Sequence, residues 1–278
     1  GRPFDEVTLL RAARTLERFV QLHPMAHDAR ARLVVVLREA GHPDEAIAEA
    51  RRLLSRRPLD DATRAELALA HLAKGESEVA ELLLAQALKQ SPRSAPANRA
   101  LGLLALQRGD DAEAFRAFER AAEVDPADAT ARVNMGNVLL RAGAYKEAEV
   151  AFRQALVTVP SDEGAMLGLA VSLRGQKRLL EAKAMYGKLL EQAPEDLAAV
   201  YGLAVLLADH LKDPAGARLL FRRIADEAPR GSALLSESER YLRELGPGSG
   251  TRPMSVPSSA APVPATSSSA GPAAAASR

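Results

Sequence analysis

A proline recurs at a fixed interval through most of this chain: Pro24, Pro58, Pro92, Pro126, Pro160 and Pro194 stand 34 residues apart, and Pro229 follows after 35. A period of this length means that one supersecondary unit is copied along the chain, each copy burying its apolar face against its neighbours. Other residue types keep the same grid. Gly41, Gly75, Gly109 and Gly143 each lie 17 residues after a grid proline, and Ala46, Ala80, Ala114, Ala148 and Ala182 each lie 22 after one.

Within a unit the glycine separates two segments of helical periodicity. In the fourth unit the spacing predicts a first helix that buries Ala131, Met135, Val138, Leu139 and Ala142, and a second that buries Ala148, Phe152 and Ala155. Gly143 opens the turn between them, where a left-handed backbone costs glycine little. Pro160 stops the second helix, because proline cannot continue the backbone ladder. Aromatic residues make up only 4% of the chain and Trp is absent, so the core must be built from small aliphatic side chains suited to close helix packing. The fold class is therefore all-α. Gly136 and Ala148 are read as points of close helix approach, with Phe152 filling the space beside them.

These residues resemble the tetratricopeptide repeat family over positions 5 to 245. The third unit carries the likeness in Leu101, Gly102, Gly109, Ala114, Phe118, Ala121 and Pro126, and the fourth in Met135, Gly136, Gly143, Tyr145, Ala148, Phe152, Ala155 and Pro160. The resemblance implies a right-handed α-solenoid of tandem helix-turn-helix repeats with a C-terminal capping helix. Three units depart from the pattern. The first has Val34 and Ala50 where the family has a small residue and an aromatic, the fifth is read as moving its turn glycine to Gly175, and the sixth replaces the turn with HLKDPAG, whose extra residue is taken to explain the 35.

The expected organisation is an N-terminal half-repeat of second-helix type over 1–24, six repeats over 25–229, a capping helix over 230–246, and a Ser/Ala/Pro-rich tail or linker over 247–278, too poor in large apolar residues to order itself. The capping helix has Leu234, Tyr241, Leu242 and Leu245 on one face and Glu237, Glu239, Arg240, Arg243 and Glu244 on the other, as the exposed end of a stack needs.

Charge and motif content argue against several classes of function. A net charge of +1 gives no electrostatic footprint for nucleic acid. No segment approaches the roughly 20 apolar residues that span a bilayer, so no membrane insertion is expected. The absence of Cys leaves no thiolate nucleophile, disulfide or Cys-based metal site. His23 and His27 have a metal-like spacing, but Pro24 interrupts the helix that would align them and no carboxylate cluster completes a ligand set. His42 and His210 fall in turns, and His71 lies alone in a first helix. LGPGSG at 245–250 follows no strand and precedes no Lys-Ser/Thr, so it is a helix stop and not a phosphate cradle. Arg51, Arg52, Arg56 and Arg57 are read as solvating the outer face and favouring the negative C-terminal end of a second helix. No catalytic constellation, metal site or cofactor site is expected.

What remains is surface. Beside each buried stripe the first helices carry a second stripe: Val35 and Arg38, with Ala31; Leu69 and Leu72, with Ala65; Arg99, Leu103 and Leu106; Val133, Asn137, Leu140 and Arg141; Leu167, Val171 and Arg174; Tyr201 and Val205, with Ala208. Family resemblance implies that such positions look into a concave groove that binds extended or helical peptides. Their apolar majority points to a trough for an apolar peptide or amphipathic helix, with Arg99, Asn137, Arg141 and Arg174 setting polar register against acidic flanks. The Lys/Asn/Arg clamp by which some members bind C-terminal carboxylates is not matched, since Val133 and Gly168 stand where Lys and Asn are needed. The expected function is a non-enzymatic scaffold or adaptor for a partner protein. Other readings are the regulatory or substrate-presenting part of a longer enzyme, and a self-associating assembly factor. The pilotins of type IV pili resemble the chain in repeat number, but it has no Cys for lipidation.

Overall fold

The computed structural model describes residues 6–246, all of whose regular structure is helical. The tail expected over 247–278 lies outside the described residues, as do the first five residues of the half-repeat. The chain divides into two units at Met135/Gly136, inside one helix.

The first unit runs through α1 (Glu6–Leu22), α2 (His27–Glu39), α3 (Pro43–Leu54), α4 (Asp61–Ala73), α5 (Ser77–Gln90), α6 (Ala95–Gln107) and α7 (Asp111–Val124), and ends in the first half of α8 (Ala129–Arg141). The second continues α8 and adds α9 (Tyr145–Thr158), α10 (Glu163–Gly175), α11 (Leu179–Gln192), α12 (Leu197–Val205), a π-turn at Leu206–His210, α13 (Pro214–Glu227) and α14 (Ala233–Leu245).

Two sets of residues on the 34-residue grid start and stop these helices. Gly41, Gly75, Gly109 and Gly143 have φ between +73° and +81°, the left-handed conformation that ends each first helix. At the other end, Asp60, Ser94, Asp128, Asp162 and Asp196 also recur every 34 residues. Their side chains accept hydrogen bonds from the backbone N–H of Thr63, Ala97, Ala131, Ala165 and Ala199. Each such cap is worth about 1 kcal/mol.

The fifth and sixth repeats keep this turn by means other than those read from the sequence. Gly175 is not a displaced turn glycine. The left-handed residue is Lys177 (φ +62°), 34 residues beyond Gly143, and Gly175 sits within α10, where a Cβ would come within 2.4 Å of the Tyr145 ring. In the sixth repeat the left-handed residue is Lys212 (φ +55°), and α13 begins two residues later, as α9 and α11 begin two residues after theirs. The turn is thus unchanged in length. The additional residue is taken up inside the first helix as the π-turn Leu206–His210, the standard way to insert one residue without breaking a helix.

Packing between the two helices of a repeat sets a larger side chain against a smaller one. Val34 faces Ala50, Ala68 faces Leu84, and Gly102 faces Phe118, each pair at equivalent positions and each residue buried. The first repeat therefore departs from the family pattern in both partners at once, a volume-preserving exchange that a close-packed core tolerates. In the second unit Phe152 lies between two glycines. A Cβ on Gly136 would come within 2.7 Å of its ring and one on Gly168 within 2.2 Å. Ala148, Phe152 and Ala155 are fully buried, and burying the Phe contributes about 1.5–3 kcal/mol. On α8, Ala131 and Val138 are buried while Met135 and Leu139 are half-buried. Ala142 is exposed, because it stands next to the left-handed Gly143 where the helix has ended.

Candidate partner-binding surface

In the first unit the second stripe of the first helices is only partly open. Val35, Leu72, Leu103 and Leu106 are half-buried, and so is Val133 at the start of α8. Leu69, proposed with them from the sequence, is buried at 9% exposure beside Ala65, packed in the core formed by α4, α5 and α6. The cations of the stripe are engaged within the chain. Arg38 Nε donates to Glu66 Oε2 at 3.0 Å, linking α2 to α4, and Arg99 Nη1 donates to Asp128 Oδ2 at 2.6 Å, linking α6 to the cap of α8. From the sequence Arg99 is expected to set polar register against acidic flanks of a partner, and Arg38 to line the stripe beside Val35. Their carboxylates instead come from the next first helix, so what the unit presents is apolar side chains between neutralised pairs.

In the second unit Asn137, Leu140, Arg174, Tyr201 and Val205 are half-buried and Arg141 is exposed. Leu167 and Val171 are buried at 7% each and pack within the protein, since α10 is apolar on nearly every side. Tyr201 meets Phe221 edge-on at 5.9 Å and Tyr241 at 6.4 Å, while Phe221 and Tyr241 stack at 4.6 Å. Burial raises the Tyr201 phenol above its ordinary value, and the Glu237 charge adds to the rise.

The ionisable groups outside this stripe serve structural contacts. His71 is not alone: it is buried, with Nδ1 2.5 Å from the carboxylate of Glu76, the N-cap residue of α5. The hydrogen bonds to His71 and Lys74 hold the Glu76 carboxyl below the usual range, and Lys74 reaches Asp44 at 2.7 Å, so α3, α4 and α5 are tied at one turn. In the second unit Glu149 accepts from Gln176 at 2.7 Å and from Arg178 and Arg153. Burial raises its pKa, but these three donors outweigh that and leave it lowered. Arg56 donates to the Pro24 carbonyl and Arg57 lies 3.9 Å from Asp28, fastening the turn before α2, while Arg51 is exposed. A cleft of about 420 Å³ between α1, α2 and α3 is lined by Arg30, Glu49 and Arg52, already paired with one another. Among the described residues no group of three or more His, Asp or Glu could hold a metal, and no helix is long and apolar enough to cross a membrane.

The groups missed by the sequence reading are Glu66, Asp128 and Glu76. Asp128 was detectable as a member of the capping series, whereas Glu66 and Glu76 meet their partners only through the stacking of helices.

Comparison with known proteins agrees with this architecture. A tetratricopeptide repeat model matches residues 9–61, 65–129 and 167–232, and a second model of that name matches 105–170. No curated protein matches the chain. Among solved structures, Pseudomonas aeruginosa PilF is 19% identical, with a TM-score of 0.64 over 77% of this chain and 97% of its own. PilW, described as a widely conserved type IV pilus biogenesis factor, is 20% identical with a TM-score of 0.63 over 77% and 98%. YrrB, described as having an unusual peptide-binding site, is 20% identical with a TM-score of 0.55 over 69% and 97%. These likenesses are of fold.

Proposed function

The chain belongs to the tetratricopeptide repeat family, and from that premise we propose that it is a non-enzymatic scaffold whose first-helix surface holds an apolar segment of a partner protein. One observation carries the reading: Val35, Leu72, Leu103 and Leu106 stand half-buried on the same side of successive first helices in the first unit. A side chain in this state has lost part of its water and keeps apolar area to bury, which suits a helix or extended peptide laid across it. Arg38 and Arg99 are neutralised by Glu66 and Asp128, so the segment they favour is apolar and not strongly acidic. Leu140, Tyr201 and Val205 offer the second unit a comparable stripe with Asn137, Arg141 and Arg174 beside it. Leu69, Leu167 and Val171 are left out of the contact set because they are buried. The peptide-binding site named for YrrB supports the same class of partner.

The test is capture of a partner from a lysate of the source organism by the wild-type chain and by two double variants, Leu72→Glu/Leu103→Glu and Leu140→Glu/Val205→Glu, each checked for unchanged helical circular dichroism. Loss of a retained protein with the first variant identifies the first unit as the binding surface, and loss with the second identifies the second. Retention by both variants rejects the proposal for that partner.

A further inference from the structure

The turns that join one repeat to the next give the first unit a cationic edge with apolar tips. The residue after each grid proline stands out from its turn: Met25, Leu59, Arg93, Ala127, Ser161 and Glu195 are all exposed. Exposure is thus a property of the position, the same in the interior of the array as elsewhere. What changes along the chain is the chemistry. The first two tips are apolar, with Met25 73% and Leu59 74% exposed, and the later ones are charged or small. Cations surround these two. Arg51 and Arg52 on α3, Arg56 and Arg57 just after it, Lys89 on α5 and Arg93 just after that are exposed. Contacts between successive turns hold them on one edge: Arg56 donates to the Pro24 carbonyl at 2.7 Å, and the buried Arg64 donates to the Pro58 carbonyl and to Gln90. Arg51, Lys89 and Arg93 have no partner among the described residues.

Segments 51–64 and 86–93 hold seven Lys or Arg against two Asp, whereas the turns inside the first three repeats, 38–46, 72–81 and 106–113, each hold three acids against one base. The near-neutral net charge conceals this segregation. An occupant of the basic edge has to suit exposed apolar tips and guanidinium groups together. Nucleic acid offers phosphates but nothing for Met25 and Leu59, and segments 51–64 and 86–93 carry no aromatic ring on which bases stack. A protein groove would need to be moulded to two tips that project from the backbone one repeat apart. A bilayer interface receives projecting apolar side chains at any spacing and sets anionic headgroups beside them. We propose that this edge of the first unit docks on an anionic lipid bilayer, with Met25 and Leu59 entering the boundary between headgroups and acyl chains. Arg51, Arg56, Lys89 and Arg93 then meet the headgroup phosphates and carboxylates. The chain lies on such a surface and does not cross it, in keeping with the lack of any spanning helix among the described residues. The first-helix stripe is a different surface, so this inference stands whether or not that stripe binds a peptide.

The test is co-sedimentation of the full chain with vesicles of phosphatidylcholine alone and of phosphatidylcholine containing about one third phosphatidylserine, a strongly anionic surface. Binding is expected only to the anionic vesicles and is lost at high salt, which screens the headgroups. Arg51→Glu/Lys89→Glu/Arg93→Glu removes no contact of the described fold and should weaken partitioning by about a hundredfold or more, since each cation contributes roughly fivefold near such a surface. Met25→Asp/Leu59→Asp should weaken it by about tenfold or more. Val157→Asp, at an exposed apolar site in the second unit, should leave it unchanged. All variants are checked for unchanged helical circular dichroism. The chain has no Trp, so Leu59→Trp supplies a single fluorophore whose emission should move to shorter wavelength when anionic vesicles are added. Equal binding to the two vesicle types overturns the proposal, and so does undiminished binding by the triple or the double variant, or unshifted emission from vesicle-bound Leu59→Trp. Absence of binding to both vesicle types overturns it as well, and a poly-glutamate peptide that then binds the wild type but not the triple variant assigns the edge to an acidic protein segment.

Discussion

Helices α1 and α14 show two opposite treatments of a repeat face. On α1 the positions that meet a first helix elsewhere in the chain are Ala12, Leu16 and Phe19, all apolar and partly exposed. On α14 the positions four, seven, eight and eleven residues past the N-cap Ser232 are Ser236, Glu239, Arg240 and Arg243, all exposed. The same registers past the N-cap Asp162 of α10 hold Met166, Leu169, Ala170 and Leu173, all buried. A helix of first type with Glu239, Arg240 and Arg243 on its outer stripe could receive a further second helix only by taking these charges out of water, at a large desolvation cost. Its inner side is densely anchored, with Tyr241 stacked on Phe221 and its hydroxyl donating to Asp209 at 2.9 Å. The two helices thus differ in composition at the same kind of position: apolar on α1, charged and polar on α14.

The largest test of this contrast is truncation of the aromatic at each end. Phe221→Ala should cost about 3–5 kcal/mol, the range for a buried Phe, whereas Phe19→Ala should cost under about 1 kcal/mol, both by chemical denaturation. Equal costs would break the comparison. Next in size, the glycine turns of the first unit should resist substitution: Gly41→Ala forces an alanine into a left-handed conformation and should lose about 1–2 kcal/mol.

Tyr241→Phe should lose about 1 kcal/mol through the hydrogen bond to Asp209. It should also change the response to alkali. Burial, then the Asp209 charge and hydrogen bond, raise the Tyr241 phenol above its ordinary value, and burial also raises Tyr186 and Tyr201. The unfolded chain releases these protons near pH 10 while the folded chain keeps them, so stability is fully present below that pH and falls as pH rises above it. Hydrogen exchange should report this loss in residues 136–246, and Tyr241→Phe should reduce its slope. The first unit's described residues hold no Tyr, so the tyrosine part of the alkaline effect is confined to the second.

The smallest effect is expected at Lys212. Replacing it by Gly relieves left-handed strain of about 1–2 kcal/mol and adds a glycine entropy cost of about 0.5–1 kcal/mol, leaving a gain of about half a kcal/mol in thermal stability.

The candidate surface was less legible than the fold. Helical spacing located Val35, Leu72, Leu103 and Leu106 beside the buried stripes, but it could not separate them from Leu69, Leu167 and Val171, which have the same spacing and are buried. Whether such a residue faces solvent depends on how near the next first helix stands, and that distance is not a property of one helix. The pairing of Arg38 with Glu66 and of Arg99 with Asp128 was hidden for the same reason: 28 and 29 residues separate the partners, and only stacking brings them together.

What the residues alone determined was the repeating unit, because proline, left-handed glycine and the Asp/Ser caps act on the backbone locally and need no neighbour to do so. The family and the all-α class follow from that period. The tertiary structure decided how deviations are absorbed. An extra residue became a π-turn in the sixth repeat and not a longer turn, Lys177 took the left-handed position vacated by glycine, and Val34 with Ala50 filled the volume that Gly and Phe fill elsewhere. It also decided which members of each first-helix stripe are exposed, since the exposure of a stripe is set by what packs on it and not by the stripe.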